Sequence, residues 1–381
     1  MNLILIYILI PLTFVYFAIS LTLLIGTIIA KKIEKINNSY PYVSIIVPAK
    51  NEEEMIGKCL DSLINQDYPK NKYEVVVIND RSTDKTQDII NLYQKNSIIK
   101  SIEIKENLSG LTGKQNAVNE GLKLCKGEII MNIDADCIAK PKWIKNTVSR
   151  FMSKTGLVMG FNITYNDRNS SSVFAELQAL DMLFLLDSAT GSIGVGVYAG
   201  CAGSNIAYRK AVLKDENFQK LGFTITEDTA VIQAVSKNPN WDVKVVYDKD
   251  AMVMTPAETS WRRFFAQRIR WTLGGLVTKS WILLPLYLAF LYHVMLITLI
   301  PIAFFVNSLQ LAVLLSFVIK SSIDFIRCCQ VCKSFDRTDL LKFFMLYEFF
   351  MMFYSVFIGF VSLFVKKIEW KGDVYNISKK G

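Results

Sequence analysis

The chain has 381 residues, of which 43 are Lys or Arg and 34 are Asp or Glu, for a formal charge of +9. At 51% hydrophobic and 20% charged, it is too apolar for a disordered or collagen-like chain or an ordinary soluble enzyme, and no Lys/Arg cluster on a polar domain points to nucleic acid. A basic chain this apolar points first to a membrane surface.

From Asn2 to Ala30 no residue is charged, a run long enough to cross a bilayer. It lacks the basic start of a cleaved signal peptide, and Lys31, Lys32 and Lys35 follow it. By the positive-inside rule its far end is cytoplasmic, so residues 2–30 read as a retained transmembrane signal anchor.

The region 40–255 is polar by comparison. Val43 to Val47 reads as a strand stopped by Pro48, and the acidic run Glu52-Glu53-Glu54 as the start of a helix to Asn65, acids suiting the positive end of the helix dipole. Tyr73 to Ile78 is a second strand ending at Asn79-Asp80. A helix from Ser82 or Thr83, a short strand near Ile102–Ile104, a helix Lys114–Leu124 and a strand Gly127–Ile133 ending at Asp134 follow. This alternation predicts an α/β domain with a mostly parallel central sheet. Ligands bind such sheets at the carboxyl ends of the strands, where Asp80 and Asp134 fall.

Asp134-Ala135-Asp136 follows a buried-strand pattern. On extended backbone both carboxylates face the same side and can hold a hard divalent cation; a solvated turn is the plain alternative. Asp80 could equally be a helix N-cap. No glycine-rich phosphate loop is present, so a nucleotide would have to be held by carboxylates, backbone and metal. Thr226-Glu227-Asp228 opens an apolar helix, Thr229 to Val235, either as ordinary acidic N-terminal residues or as a general base near an acceptor hydroxyl.

Residues 256–281 read as an interfacial amphipathic helix. On it Gln267, Arg270 and Trp271 share a face at i, i+3 and i+4, offering an amide, a guanidinium for phosphate and a flat ring for a sugar. Residues 282–365 hold about three further apolar spans, Ile282–Val306, Leu309 to Ile319 or slightly beyond, and Phe343–Val365, with the basic stretch Arg327–Lys342 between the last two. A basic tail, 366–381, carries Lys366, Lys367, Lys371, Lys379 and Lys380. These lysines conflict with the charge rule if the last span crosses; the alternative is that part of this region lies along the interface.

In order, Val47-Pro48-Ala49-Lys50-Asn51-Glu52, Asn79-Asp80, Gly113-Lys114-Gln115-Asn116-Ala117, Asp134-Ala135-Asp136, Gly203-Ser204-Asn205, Thr226-Glu227-Asp228 and Gln267-x-x-Arg270-Trp271 resemble the membrane-integrated family 2 glycosyltransferases. That group contains the cellulose, hyaluronan and poly-N-acetylglucosamine synthases and ceramide glucosyltransferase. The resemblance implies a GT-A fold and inverting transfer from a nucleotide-sugar, usually a UDP-sugar, to a membrane-associated lipid or glycan acceptor. By the same resemblance Asp134 and Asp136 bind Mg2+ or Mn2+, and Pro48, Asn51, Glu52, Asp80, Lys114, Asp134, Gln267 and Arg270 face the donor. Gly203, Ser204, Asn205 and Trp271 face the acceptor, and Asp228 beside Glu227 is the catalytic base. The implied protein is a multi-pass cell-membrane protein with its catalytic domain in the cytoplasm. A processive polysaccharide synthase and a non-catalytic nucleotide-sugar-binding membrane subunit are the alternatives. Trp370-Lys371-Gly372 resembles a C-terminal feature of lipid-directed and polymer-forming members alike.

The remaining signals read blandly. The seven cysteines suggest reduced thiols. Cys328, Cys329 and Cys332 lack partners for a zinc site and read as juxtamembrane thiols. His293, the one histidine, reads as a helix-packing residue, and Gly191 to Gly203 as a flexible loop.

Overall fold

A computed structural model describes residues 2–32, 36–106, 111, 113–165, 172–198, 200–201, 203–213, 227–275, 280–371 and 373–376. In chain order the helices are α1 (Asn2–Lys31), α2 (Ile56–Ile64), α3 (Thr86–Tyr93), α4 (Gly113–Leu124), α5 (Trp143–Val148), α6 (Val173–Gly194), α7 (Glu227–Lys237), α8 (Trp261–Gly275), α9 (Ser280–Ala303), α10 (Asn307–Ser334) and α11 (Phe344–Ser362). The strands are β1 (Val43–Ala49), β2 (Tyr73–Asp80), β3 (Ile99–Ile104), β4 (Ile129–Asn132), β5 (Ile138–Ala139), β6 (Thr155–Met159), β7 (Asn162–Tyr165), β8 (Ile206–Arg209), β9 (Asp242–Val245), β10 (Val253–Pro256), β11 (Lys367–Trp370) and β12 (Asp373–Asn376). They form two units: 31–169 with 200–257 and 366–381, and 1–30 with 170–199 and 258–365.

The first unit is built on a sheet in the order β3-β2-β1-β4-β8-β6-β9. β2 lies parallel to β3 and β1, and β1 parallel to β4, while β8 runs antiparallel between β4 and β6. The unbroken apolar runs of β1 and β2 are what a strand covered on both faces requires, and every residue of β2 is buried. A second sheet, β5-β10-β7, and the isolated hairpin β11-β12 complete the unit.

Two helix starts depart from the sequence reading. α2 begins at Ile56 rather than at Glu52, and α3 at Thr86 rather than at Ser82 or Thr83. The residues before each helix are spent lacing the two loops together. Asn51, Glu52 and Glu53 donate their backbone N–H groups to Ser82 Oγ (3.0 Å), Thr86 Oγ1 (2.8 Å) and Asp84 Oδ2 (3.1 Å). In return Asn51 Oδ1 accepts from the N–H of Thr83 at 2.8 Å. Asn51 adopts φ 53° in this turn, a left-handed conformation that Asn tolerates better than most residues.

The second unit is helical. Leu3–Lys31, Ile282–Ala303, Asn307–Ser334 and Thr338–Ser362 are each long and apolar enough to cross a membrane. α6 belongs to this unit although it interrupts the sequence of the first. Of the glycine-rich segment expected as a loop, Gly191 to Gly194 instead form the last turn of α6, and the described residues from Val195 to Asn205 are non-helical. Its glycines let two backbones meet: a Cβ on Gly191 would stand 2.3 Å from Leu23 O, and one on Gly194 1.9 Å from Gly26 O. No side chain fits there, as at small-residue helix crossings in membranes. α10 runs past Ile319 to Ser334, and Lys320, Asp324 and Arg327 on it are buried. His293 packs, as read, against Tyr16 and Tyr292, with Nδ1 3.2 Å from Ser355 Oγ. All seven cysteines are free.

The unit assignment constrains topology. Backbone of the first unit's kind, with open sheet edges and loops, cannot sit in hydrocarbon, so if the apolar helices cross a membrane, residues 31–169, 200–257 and 366–381 would lie on one side of it. In that arrangement the chain would cross an even number of times between Glu258 and Val365, although the described residues there hold three apolar helices. Basic residues flank α11 at both ends, so it is the helix expected not to cross. Single cysteines at positions 336 and 366 of an otherwise cysteine-free chain should label from the same side in sealed vesicles. Labelling from opposite sides would refute this topology.

Candidate active site

The carboxyl ends of the neighbouring strands β2, β1 and β4 gather the acidic residues of the first unit. Asp80 closes β2, Glu52 follows β1, and Asp134 and Asp136 follow β4. Because β4 stops at Asn132, Asp134 to Asp136 form a turn rather than a strand extension, and its two carboxylates converge. Ligand atoms of Asp134, Asp136 and Cys137 lie within 4.8 Å of one another.

Charge around this cluster is finely divided. Lys114, near the start of α4, places Nζ 2.6 Å from Asp134 Oδ1. Lys371, in the turn between β11 and β12 at φ 47°, pairs with Glu52. Burial pushes the Glu52 carboxyl up to about 7; the Lys371 ammonium opposes the rise, while Asp136 and Asp134 add to it. Burial, then the neighbouring Asp134, likewise raises the Asp136 carboxyl. Like charges brought together in a partly shielded turn make a site that a divalent cation relieves. An oxygen-rich donor set of this kind suits Mg2+ or Mn2+.

The other predicted residues have definite places. Asp80 is buried and held by its neighbour Arg81, whose Nε and Nη2 donate to its two oxygens at 2.7 and 3.1 Å. Pro48 lies within β1, and Asn51 holds the laced turn described above. Asp228 is half-buried in the first turn of α7, with Oδ1 accepting from the N–H of Thr229 at 2.9 Å. Gly203 lies directly against it: a Cβ there would stand 3.1 Å from Asp228 Oδ2. The residue assigned as base and Gly203, assigned to the acceptor side, are thus brought together at a distance that leaves little room for a side chain at 203. Thr226 and the side chain of Glu227 lie outside the described residues.

Ser204 and Asn205 look inward. Ser204 Oγ accepts from Asn162 Nδ2. Asn205 is buried, accepts from Trp143 Nε1 at 2.8 Å and donates to the carbonyls of Phe161 (2.9 Å) and Ala251 (3.4 Å). Its amide is committed to joining α5 to the loops around the second sheet, so its part is architectural. Gln267, Arg270 and Trp271 lie on α8 of the helical unit, each half-buried.

Sequence reasoning assigned no role to Lys371. Its signal was the Trp370-Lys371-Gly372 motif and the surplus of lysines after the last apolar segment, but its partner is 319 residues away.

Residues 44–216 match the family model described as Glycosyl transferase family 2. The chain is 28% identical over 236 residues to the poly-beta-1,6-N-acetyl-D-glucosamine synthase of Staphylococcus epidermidis, covering 61% of this chain and 54% of that protein. It is 29% identical over 245 residues to the beta-monoglucosyldiacylglycerol synthase of Nostoc sp., covering 64% and 50%. The chain therefore spans about half the length of these curated relatives. Among solved structures, a mannosyltransferase from Pyrobaculum calidifontis in complex with GDP-Man and Mn2+ shares the fold, with a TM-score of 0.56 at 18% identity over 94% of this chain and 99% of that one.

Proposed function

We propose that this chain, whose residues 44–216 match the family 2 glycosyltransferase model, is a membrane-integral inverting enzyme transferring a sugar from a UDP-sugar to a lipid or glycan acceptor. The observation that carries this reading is the convergence of Asp134 and Asp136 behind β4, with Lys114 against Asp134. Asp134 and Asp136 would hold Mg2+ or Mn2+, which supplies neutralisation of the charge developing on the departing diphosphate. Lys114 adds a fixed positive charge beside the same carboxylates, and Asp80 and Glu52 line the donor side along the neighbouring strand ends. Gln267, Arg270 and Trp271 are assigned to donor and acceptor on their motif alone.

In the transfer step the acceptor oxygen attacks the anomeric carbon while its proton passes to Asp228. The bond from that carbon to the diphosphate oxygen breaks, and the electron pair leaves with the nucleoside diphosphate. A single displacement of this kind inverts the anomeric centre. Gly203 lies close against the half-buried Asp228 carboxylate, and a general base must be in hydrogen-bond reach of the acceptor hydroxyl. The basic borders of the apolar helices support a cytoplasmic location for the transferase unit, where nucleotide-sugars are available.

A processive synthase is the second reading, favoured by the similarity to the poly-N-acetylglucosamine synthase. Membranes containing the chain, given radiolabelled UDP-sugars with and without EDTA, separate the two. Metal-dependent label in an organic-soluble product supports transfer to lipid, and label in a large aqueous polymer supports the synthase. Absence of EDTA-sensitive transfer from every nucleotide-sugar would count against both.

A further inference from the structure

Arg268 stands inside the Gln267-x-x-Arg270-Trp271 motif but is not one of its named residues, and it is the only arginine of α8 that is buried. Its Nε and Nη2 donate to Asp181 Oδ2 at 3.1 and 2.7 Å, and its Nη1 donates to Gln267 Oε1 at 2.6 Å. The guanidinium carbon lies 4.2 Å from the ring centroid of Trp271 and 4.6 Å from that of Phe264. One side chain thus touches two of the three motif residues, using its fork on one and its face on the other. Lysine, a point charge without a plane, cannot do both.

The anchor is equally definite. Asp181, on α6, is fully buried, and its Oδ1 accepts from the hydroxyls of Tyr354 and Tyr347 on α11, the latter at 3.3 Å. The other end of the Gln267 amide is also fixed, since Nε2 donates to Glu258 Oε1 at 3.1 Å. Glu258 is in turn clamped to α6, its N–H donating to Gln178 Oε1 (2.8 Å) and its carbonyl accepting from Gln178 Nε2 (3.0 Å). Both ends of the amide and one face of the indole are therefore referenced to α6.

We propose that Arg268 and Asp181 are positioning residues for the transfer reaction, setting the orientation of Gln267 and Trp271 through the guanidinium. This rests on the glycosyltransferase reading for its consequence, but not for its geometry. A misplacement of about 1 Å in a substrate-positioning group can cost on the order of 10²-fold in rate, so the pair matters without touching substrate.

The test uses the full-length chain in detergent, with the variant Arg268→Gln combined with Asp181→Asn. The double substitution leaves no unpaired buried charge and keeps an oxygen for Tyr347 and Tyr354, so the helices retain their packing. The chain is labelled with 5-fluorotryptophan, and the Trp271 resonance is identified by its loss in Trp271→Phe. In the double variant that resonance should shift and broaden while the other tryptophan resonances stay in place. With a donor found for the wild type, kcat per folded molecule should fall by about 10- to 100-fold and the donor KM should rise, with Arg268→Lys failing to restore either. An unmoved Trp271 resonance overturns the proposal, as do wild-type kinetic constants accompanied only by a smaller folded yield. A wild-type chain that turns over no nucleotide-sugar would sink the functional reading instead, and the fluorine resonance would still decide this one.

Discussion

Replacing Asp228 with asparagine should lower turnover by about 10²- to 10⁴-fold, the usual worth of a positioned general base, and leave the affinity for UDP and Mn2+ unchanged. The substitution is nearly isosteric, and the oxygen that accepts from the Thr229 N–H has an equivalent in the amide. Folding should therefore be untouched. What is lost is the capacity to accept a proton from the acceptor hydroxyl. Donor binding is proposed for Asp134, Asp136 and Asp80 at strand ends and for Lys114 on α4, away from α7, so calorimetric titration with UDP and Mn2+ should match the wild type. Retained transfer in this variant would remove Asp228 as the base. Weakened UDP binding with proportional loss of turnover would place it on the donor side.

The second large effect is on stability and lies in the helical unit. Lys320 is fully buried, donates to Asp324 Oδ2 at 2.9 Å and pairs with Glu348 as well. Asp324 also accepts from Tyr16 at 2.7 Å, and Glu348 from Ser321 at 3.1 Å. Lys320→Met removes the only cation among these groups and leaves two carboxylates facing each other away from water. Breaking a buried pair from one side costs about 3–5 kcal/mol, so thermal unfolding of the full chain in detergent should show a large drop in midpoint. The triple variant Lys320→Met, Asp324→Asn, Glu348→Gln should recover most of the loss, because the penalty comes from the uncompensated charge rather than from lost volume. Equal destabilisation by the single and triple variants would show that packing, not charge, is what the lysine supplies.

Much of the site was legible because its parts are local. A hydrophobic strand followed by an acidic pair announces a strand end. Asp80 and Asp134 lie at carboxyl ends of the sheet as the alternation of strands and helices required. Gly203 beside Asp228 joins two motifs that are separate in the sequence, and their nearness is visible only once β8 and α7 are folded. Asn205 shows the opposite outcome: its motif suggested acceptor contact, whereas its amide is consumed by Trp143 and two backbone carbonyls. A motif identifies residues that travel together without saying which of them face the ligand.

The amino-acid order by itself determined the class of domain, the order of its elements and the existence of long apolar helices, since each depends on periodicity and composition within a short window. Only the tertiary structure decided where the charges go. In the sequence Lys320 and Asp324 fall just past the apolar run that ends at Ile319, yet both lie inside α10, where Lys320 pairs with Asp324 and with Glu348. Arg268 meets Asp181 across 87 residues, and Lys371 meets Glu52 across 319. An ionisable side chain is affordable in an apolar interior only beside its counterion, and which counterion that is depends on distant segments packing together. The surplus lysines after the last apolar helix, a contradiction by charge counting, include one that reaches back to the acidic strand ends of the first unit.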